Sequence, residues 1–310
     1  MTWTPGDVNV AKAKGGLVKI LSTKENAYQM PCVIIGIHKW NVGHAKSIEG
    51  MLMASFEGSD QIRNFPQALQ RAGKASYDIY QEEDAKYWVK YYKGVTEPDH
   101  NRQMVALGGS TTMNLADNLM LFGLMDGADD PSSSMFRATY EGFGNIAKAQ
   151  YPTLIPDFPK VTEAVNTTFL KDLAASMPSS KPDLPTYEAG EINDVVAKKD
   201  WSITFDTGKA SLSPDALTTL NQIYTNLVVG SLSVELDGHT DSTGTPDGNV
   251  VLSQARANSV KEWLQVKNPT AFPENRVEVK GFGDKVPVAP NTTPDGKARN
   301  RRVTIILGSK

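Results

Sequence analysis

The chain has 310 residues, of which 40% are hydrophobic and 22% charged, with a formal net charge of −3. That length sets an expectation of two domains, and a pI of about 5.9 excludes the basic face by which nucleic-acid binders hold phosphates. A single cysteine, Cys32, excludes an internal disulfide and a cysteine-rich metal site.

No stretch approaches the roughly 18 consecutive apolar residues of a membrane span. The opening Met1-Thr2-Trp3-Thr4-Pro5-Gly6-Asp7 has neither a basic n-region nor an apolar h-region, so it does not read as a secretory signal.

Leu17–Leu21 and Cys32–Ile37 are short β-branched runs with polar, glycine or proline borders. They predict two buried strands. Residues 47–95 predict helix. Ile48, Met51, Leu52 and Phe56 recur at helical spacing, then Phe65, Leu69 and Ala72, with Pro66 at a first-turn position. The stretch from Ala75 to Tyr92 carries Tyr77, Tyr80, Tyr87, Trp88, Tyr91 and Tyr92. Such a stripe serves either as a sugar or base platform or as helix packing.

Leu107-Gly108-Gly109-Ser110-Thr111-Thr112 is a glycine and hydroxyl turn before the helical pattern Leu115, Leu119, Phe122, Leu124. Free amides at a helix start hold anions, which makes Gly109, Ser110 and Thr111 candidate anion-binding residues. The alternative is a simple N-cap. Pro178–Pro185 holds three prolines and no periodicity, so residues 176–196 are expected to link a domain at 1–175 to one at 197–310.

Beyond the linker, Trp201–Phe205 alternates as a strand. Ser213 caps a helix with Pro214 at its first position and Asp215 favourable to its dipole. Leu217, Leu220, Ile223, Tyr224 and Leu227 form its apolar face. Leu232–Leu236 is a second strand, and Ser253–Leu264 a second helix that buries Val260, Trp263 and Leu264. Arg276–Val279 and Arg302–Leu307 are two more strands. The order β-α-β-α-β-β predicts an α+β two-layer sandwich with both helices on one face of one sheet.

Between the second strand and second helix stand Gly238-His239-Thr240-Asp241-Ser242-Thr243-Gly244, Asn249 and Leu252-Ser253-Gln254-Ala255-Arg256-Ala257. A strand-loop-helix unit brings Asp241 and Arg256 to one pocket mouth. They are either a ligand-reading pair or a salt bridge from loop to helix. No serine or cysteine nucleophile with an orienting partner is visible. The histidines, His38, His44, His100 and His239, are too scattered for a metal site. His239 is expected to pack the loop.

This segment resembles the OmpA C-terminal family, which includes the peptidoglycan-associated lipoprotein and the wall-anchoring domain of the flagellar stator. Gly281-Phe282-Gly283, Pro287 and Gly296–Val303 extend the match. The resemblance implies binding to peptidoglycan through diaminopimelate, whose side chain ends in an ammonium and a carboxylate. Asp241 would take the ammonium and Arg256 the carboxylate, because a guanidinium donates two parallel hydrogen bonds. Thr240, Asn249, Leu252, Ser253, Asn300 and Arg301 would shape the pocket or hold the stem peptide. Lys297, Arg299, Arg301 and Arg302 would form a glycan contact or a solvated strand edge.

Residues 17–172 resemble part of a periplasmic substrate-binding protein of an ABC importer, of the phosphate, nitrate or taurine type. The carrying residues are Met30–Ile35, Phe56–Arg63, Leu107–Ser110, Leu115–Asn118, Phe122–Leu124 and Tyr151–Pro152. This resemblance implies an α/β lobe that grips a small oxyanion. Only the later part of that family is matched.

The expected architecture is therefore α/β plus α+β. The expected protein is a non-enzymatic peptidoglycan binder of the periplasm or cell envelope, joined to a solute-binding-like domain. It needs no cofactor or metal, and it reaches the envelope as an excised piece or by another export route. Two alternatives stand: a structural subunit of an envelope machine whose front domain is a scaffold, or a wall-targeted enzyme drawing on Glu82, Glu83, Asp84 or Asp117.

Overall fold

A computed structural model describes residues 5–16, 33–109, 112–125, 134–178 and 181–310. The front half is helical. Its elements are α1 (Gly6–Lys14), α2 (His38–Gly43), α3 (Ala45–Asn64), α4 (Pro66–Tyr80), α5 (Ala85–Lys93), β1 (Val95–Pro98), β2 (Met104–Leu107), α6 (Leu115–Phe122), α7 (Met135–Gln150), α8 (Val161–Ala164) and α9 (Thr168–Ser176). The C-terminal part follows as β3 (Asp194–Thr204), α10 (Pro214–Val228), β4 (Ser233–Gly238), α11 (Pro246–Lys267), β5 (Val277–Gly281), α12 (Pro294–Asn300) and β6 (Arg302–Ser309). Among the described residues no helix is long and apolar enough to cross a membrane.

Two front-half expectations change. Leu17–Leu21 lies outside the described residues. Val33–Ile37 is in no strand and faces solvent, with Ile35 91% exposed. A β-branched run becomes a strand only where another strand pairs with it, and none of the described strands does so here. The only sheet described before residue 178 is the antiparallel pair β1–β2. The expected α/β lobe is thus not what the described residues form.

The aromatic stripe packs α4 against α5. Trp88 and Tyr91 are buried, and Trp88 lies 5.6 Å from Tyr80 and 5.8 Å from Tyr92 between ring centroids. The Tyr92 hydroxyl meets Ser76 Oγ at 2.6 Å. Gly73 permits this approach, because a Cβ there would sit 2.7 Å from the Ala85 carbonyl oxygen. Pro66 occupies the first turn of α4, as its fixed φ favours.

The C-terminal sheet has strand order β3-β6-β4-β5, with β4 and β5 parallel and the other pairs antiparallel. Val234, Leu236, Ile203, Val303 and Ile305 form one core with Leu220, Ile223 and Leu227 of α10 and Val260 and Leu264 of α11. Each fully buried aliphatic side chain of this kind contributes about 1.5–3 kcal/mol.

Helix α10 starts as its sequence dictates: Ser213 Oγ accepts the Ala216 N–H at 3.1 Å, with Pro214 in the first turn. Helix α11 begins seven residues before the expected Ser253, because Thr245 and Pro246 make the same start. Thr293 and Pro294 make it once more for α12, which the strand pattern had not shown.

The two halves share this core. Met120 and Leu121 of α6, and Met135, Phe136 and Ala138 of α7, belong to the same cluster as α10. The linker is also tied down. Asp183 donates its N–H to Asp117 Oδ1 at 2.6 Å, and Asn114 Nδ2 donates to the Lys181 carbonyl at 3.2 Å.

Candidate functional site

The Asp241 loop leaves the sheet at the end of β4 and enters α11. Two glycines let the helix lie against the strands. A Cβ on Gly238 would fall 1.9 Å from the Ser253 carbonyl oxygen, and one on Gly281 would fall 2.9 Å from Ser253 Oγ. Ser253 itself bridges helix and sheet: its hydroxyl donates to the Val250 carbonyl at 2.8 Å and accepts the Gly283 N–H at 2.9 Å. His239 stacks on Phe282 with ring centroids 5.5 Å apart, the packing role expected for it.

Asp241 is 4% exposed. Its Oδ2 accepts a hydrogen bond from Arg301 Nη1 at 2.8 Å, and Oδ1 accepts the Thr243 N–H at 2.8 Å. Burial alone would raise its pKa. The Arg301 hydrogen bond and charge, with the Thr243 hydrogen bonds, outweigh that and hold the carboxyl below its usual range. The carboxylate therefore stays ionised at neutral pH.

Arg256 is 0% exposed and makes no ion pair with Asp241. Its Nε donates to the Lys209 backbone carbonyl at 2.9 Å, Nη1 to the His239 backbone carbonyl at 3.0 Å and Nη2 to the Asp206 backbone carbonyl at 3.0 Å. Its guanidinium lies 5.3 Å from the Phe205 ring centroid. Desolvation, followed by the Arg301 charge, lowers its pKa to about 10, while Asp241 opposes the fall. It remains charged, and it clamps the end of β3 to the start of the Asp241 loop.

Arg301 is the guanidinium that closes on Asp241. It stands at the C-terminal end of α12, where its Nε donates to the Phe205 carbonyl at 3.0 Å. That carbonyl belongs to the chain just after β3, and the β3–β6 pairing brings it there. The side chain is 17% exposed. A cavity of about 340 Å³ opens beside it, lined by Phe205, Asp206, Ser213, Asp215 and Arg299 among others.

The other expected site residues divide. Asn249 Nδ2 donates to the Asp241 carbonyl at 3.3 Å, so it fixes the loop from α11. Thr240 is buried; its N–H donates to Gly283 at 2.9 Å, and its hydroxyl has no partner among the described residues. Leu252 is half-buried on α11. Asn300 is fully buried and positions backbone groups beneath the loop. Its Oδ1 accepts the N–H groups of Val288 and Ala289 at 2.8 and 3.0 Å, and its Nδ2 donates to Ala289 O and Asn291 Oδ1 at 2.8 and 2.9 Å. Asn291 in turn accepts the Ser242 N–H at 3.2 Å. The basic residues do not form a strand edge, because β6 pairs on both sides and Arg302 is buried. Lys297 reaches Thr243 Oγ1 at 3.2 Å, on the rim of the Asp241 loop.

The front-half candidates fare differently. The Gly109 N–H is taken by the Tyr91 carbonyl at 2.8 Å, and the Gly108 N–H by the Asp7 carboxylate at 3.0 Å. The start of α6 is closed by a capping box between Asn114 and Asp117. An anion would find these amides already engaged. Ser110 and Thr111 lie outside the described residues. Glu82, Glu83 and Asp84 stand in the turn between α4 and α5, not on a helix, and Asp84 caps α5. Asp117 is held by Arg63 at 2.5 Å and by two backbone amides, so it braces α3, α6 and the linker.

Residues 204–301 match the model of the OmpA family. The chain is 37% identical over 116 residues to the probable lipoprotein YiaD of Escherichia coli, an alignment covering 37% of this chain and 52% of that protein. It is 34% identical over 106 residues to the peptidoglycan-binding protein ArfA of Mycobacterium tuberculosis, covering 34% of this chain and 32% of the relative. A solved structure of the type VI secretion system's cell wall anchor from Pseudomonas aeruginosa aligns at 32% identity, 35% of this chain and 76% of that one, with a TM-score of 0.31. The chain thus spans about half the length of the first relative and a third of the second.

Proposed function

We propose that the OmpA-family domain the chain carries at its C-terminus binds peptidoglycan, and that the protein is a non-enzymatic anchor of the cell envelope. The observation that carries this reading is Asp241: a buried carboxylate kept ionised in a strand-to-helix loop and flanked by two guanidiniums. The ligand end that such a site complements is zwitterionic, as at the side-chain terminus of diaminopimelate in the stem peptide. Asp241 receives the ammonium. Arg256, fully buried, spends three of its five N–H groups on backbone carbonyls and lends its charge to the ligand's carboxylate from behind the loop, while the partly exposed Arg301 meets it directly. The exposed residues 242–248 form the approach.

The test is co-sedimentation with diaminopimelate-type sacculi. Loss of a charged partner at such a contact costs about 2–5 kcal/mol of binding, so Asp241→Ala and Arg256→Ala should each abolish sedimentation while circular dichroism reports the fold. Retention equal to wild type in both variants would refute the site. Zymography against the same sacculi separates an anchor from a wall enzyme.

For the front half, a specific observation favours a scaffold over an oxyanion receptor: the Gly108 and Gly109 amides are already bonded within the chain. A thermal-shift screen with phosphate, sulfate, nitrate and sulfonates decides between them, since a bound anion raises stability by RT ln(1 + [L]/Kd). No shift is expected.

A further inference from the structure

We infer that Arg301 makes this site selective for a ligand whose terminal carboxylate is free, and that a carboxamide at that position is rejected. The inference rests on the proposed binding of a zwitterionic stem peptide at Asp241. Its first ground is charge. Asp241 pairs with Arg301 at 2.8 Å, and the charges of both act on the neighbouring Arg256. The triad without ligand therefore carries an excess of one positive charge. A ligand ammonium taken up by Asp241 adds a second, so a carboxylate is needed to offset it.

Access is the second ground. Arg256 is 0% exposed, whereas the Arg301 side chain is 17% exposed and faces the cavity beside Phe205. Arg301 commits Nε to the Phe205 carbonyl and Nη1 to Asp241. Its remaining N–H groups are donors that both oxygens of a carboxylate accept with charge assistance, whereas a carboxamide offers one neutral accepting oxygen and turns an NH2 donor toward them. The same cavity holds Asp206 and Asp215. Asp206 is paired with Lys209 at 3.2 Å, and Asp215 sits in the first turn of α10, where the helix amides offset its charge. Arg299 adds positive charge to that cavity, and Lys297 adds it at the Asp241 loop through Thr243. Neither carboxylate cancels the requirement that Arg301 imposes.

The experiment uses two synthetic stem peptides that differ only in a carboxylate or a carboxamide at the side-chain end of diaminopimelate, titrated into the full chain by calorimetry. A hydrogen bond to a charged group sets the scale: wild type should prefer the acid by about tenfold or more. Arg301→Gln should bring that ratio close to one, and Arg301→Lys, which keeps the charge without the planar fork, should restore part of it. Equal affinity of wild type for both peptides, or an unchanged ratio in Arg301→Gln, overturns the inference and leaves the peptidoglycan reading standing. Failure of wild type to bind either peptide overturns both.

Discussion

Asp237→Asn should stabilise the protein at neutral pH. Asp237 lies on β4, 7% exposed, on the face opposite Val234 and Leu236. Its cross-strand neighbours are Thr304 on β6 and Lys280 on β5. Its Oδ1 has no hydrogen-bond partner among the described residues. Burial, and then the neighbouring Glu235, push its pKa up to about 6; Lys280 and Lys198 only partly offset them. Lys280 is itself engaged with Glu235 at 2.9 Å and Glu191 at 3.2 Å. A shift from 3.8 to about 6, at 1.36 kcal/mol per unit, corresponds to roughly 3 kcal/mol at most. The folded state keeps a proton that the unfolded chain releases, so stability falls as pH rises from about 4 to about 6 and stays reduced at pH 7. Asparagine has no proton to lose. The expected gain is therefore about 1–3 kcal/mol at pH 7, shrinking to nothing near pH 4. Urea denaturation of both proteins across that range measures it. A variant curve that runs parallel to wild type, or a gain that grows toward acid, would refute the reasoning.

Other perturbations separate packing from binding. Gly238→Ala should cost about 3 kcal/mol or more, because the new Cβ overlaps the Ser253 carbonyl; Gly58→Ala on α3, where nothing lies within 4 Å, should instead stabilise by about 0.5–1 kcal/mol. Thermal melts of the pair report both signs. Asn300→Ala leaves two backbone N–H groups without their acceptor and should cost about 2–3 kcal/mol. It should also weaken sacculus binding, since Asn291 loses its anchor under Ser242. Asp117→Ala removes the acceptor for the Asp183 amide and the partner of Arg63; hydrogen exchange at the Asp183 amide should then be faster than in wild type.

Local chemistry made much of the C-terminal domain readable. The Ser213-Pro214-Asp215 start and the alternating strands correspond to α10, β4, β5 and β6. The same signal stands at Thr245-Pro246-Asp247 and Thr293-Pro294-Asp295, and reading it there would have found the start of α11 and all of α12. The partner of Asp241 was harder to read. Spacing places Arg256 across the loop from Asp241, but the β4–β6 pairing sets Arg301 beside that loop, and the β3–β6 pairing adds Phe205 from a distant part of the chain. For Asn300 the motif gave the identity, and the structure adds the direction of the side chain, toward Val288, Ala289 and Asn291 beneath the loop. In the front half, the β-branched run Val33–Ile37 carried no information about a pairing strand, and the Gly108–Gly109 turn carried none about the Tyr91 carbonyl and Asp7 carboxylate that occupy its amides.

The packing of α7 and α6 into the α10 core also bears on mechanics. If the Asp241 loop is held by a wall polymer and the front half by something else, tension does not first straighten the proline-rich tether. It meets an apolar contact in which Met135, Phe136 and Leu121 share a cluster with α10, reinforced where Asp183 is pinned to α6. Below the force that parts this contact the protein behaves as a stiff coupler. Above it, the tether pays out and the link becomes compliant.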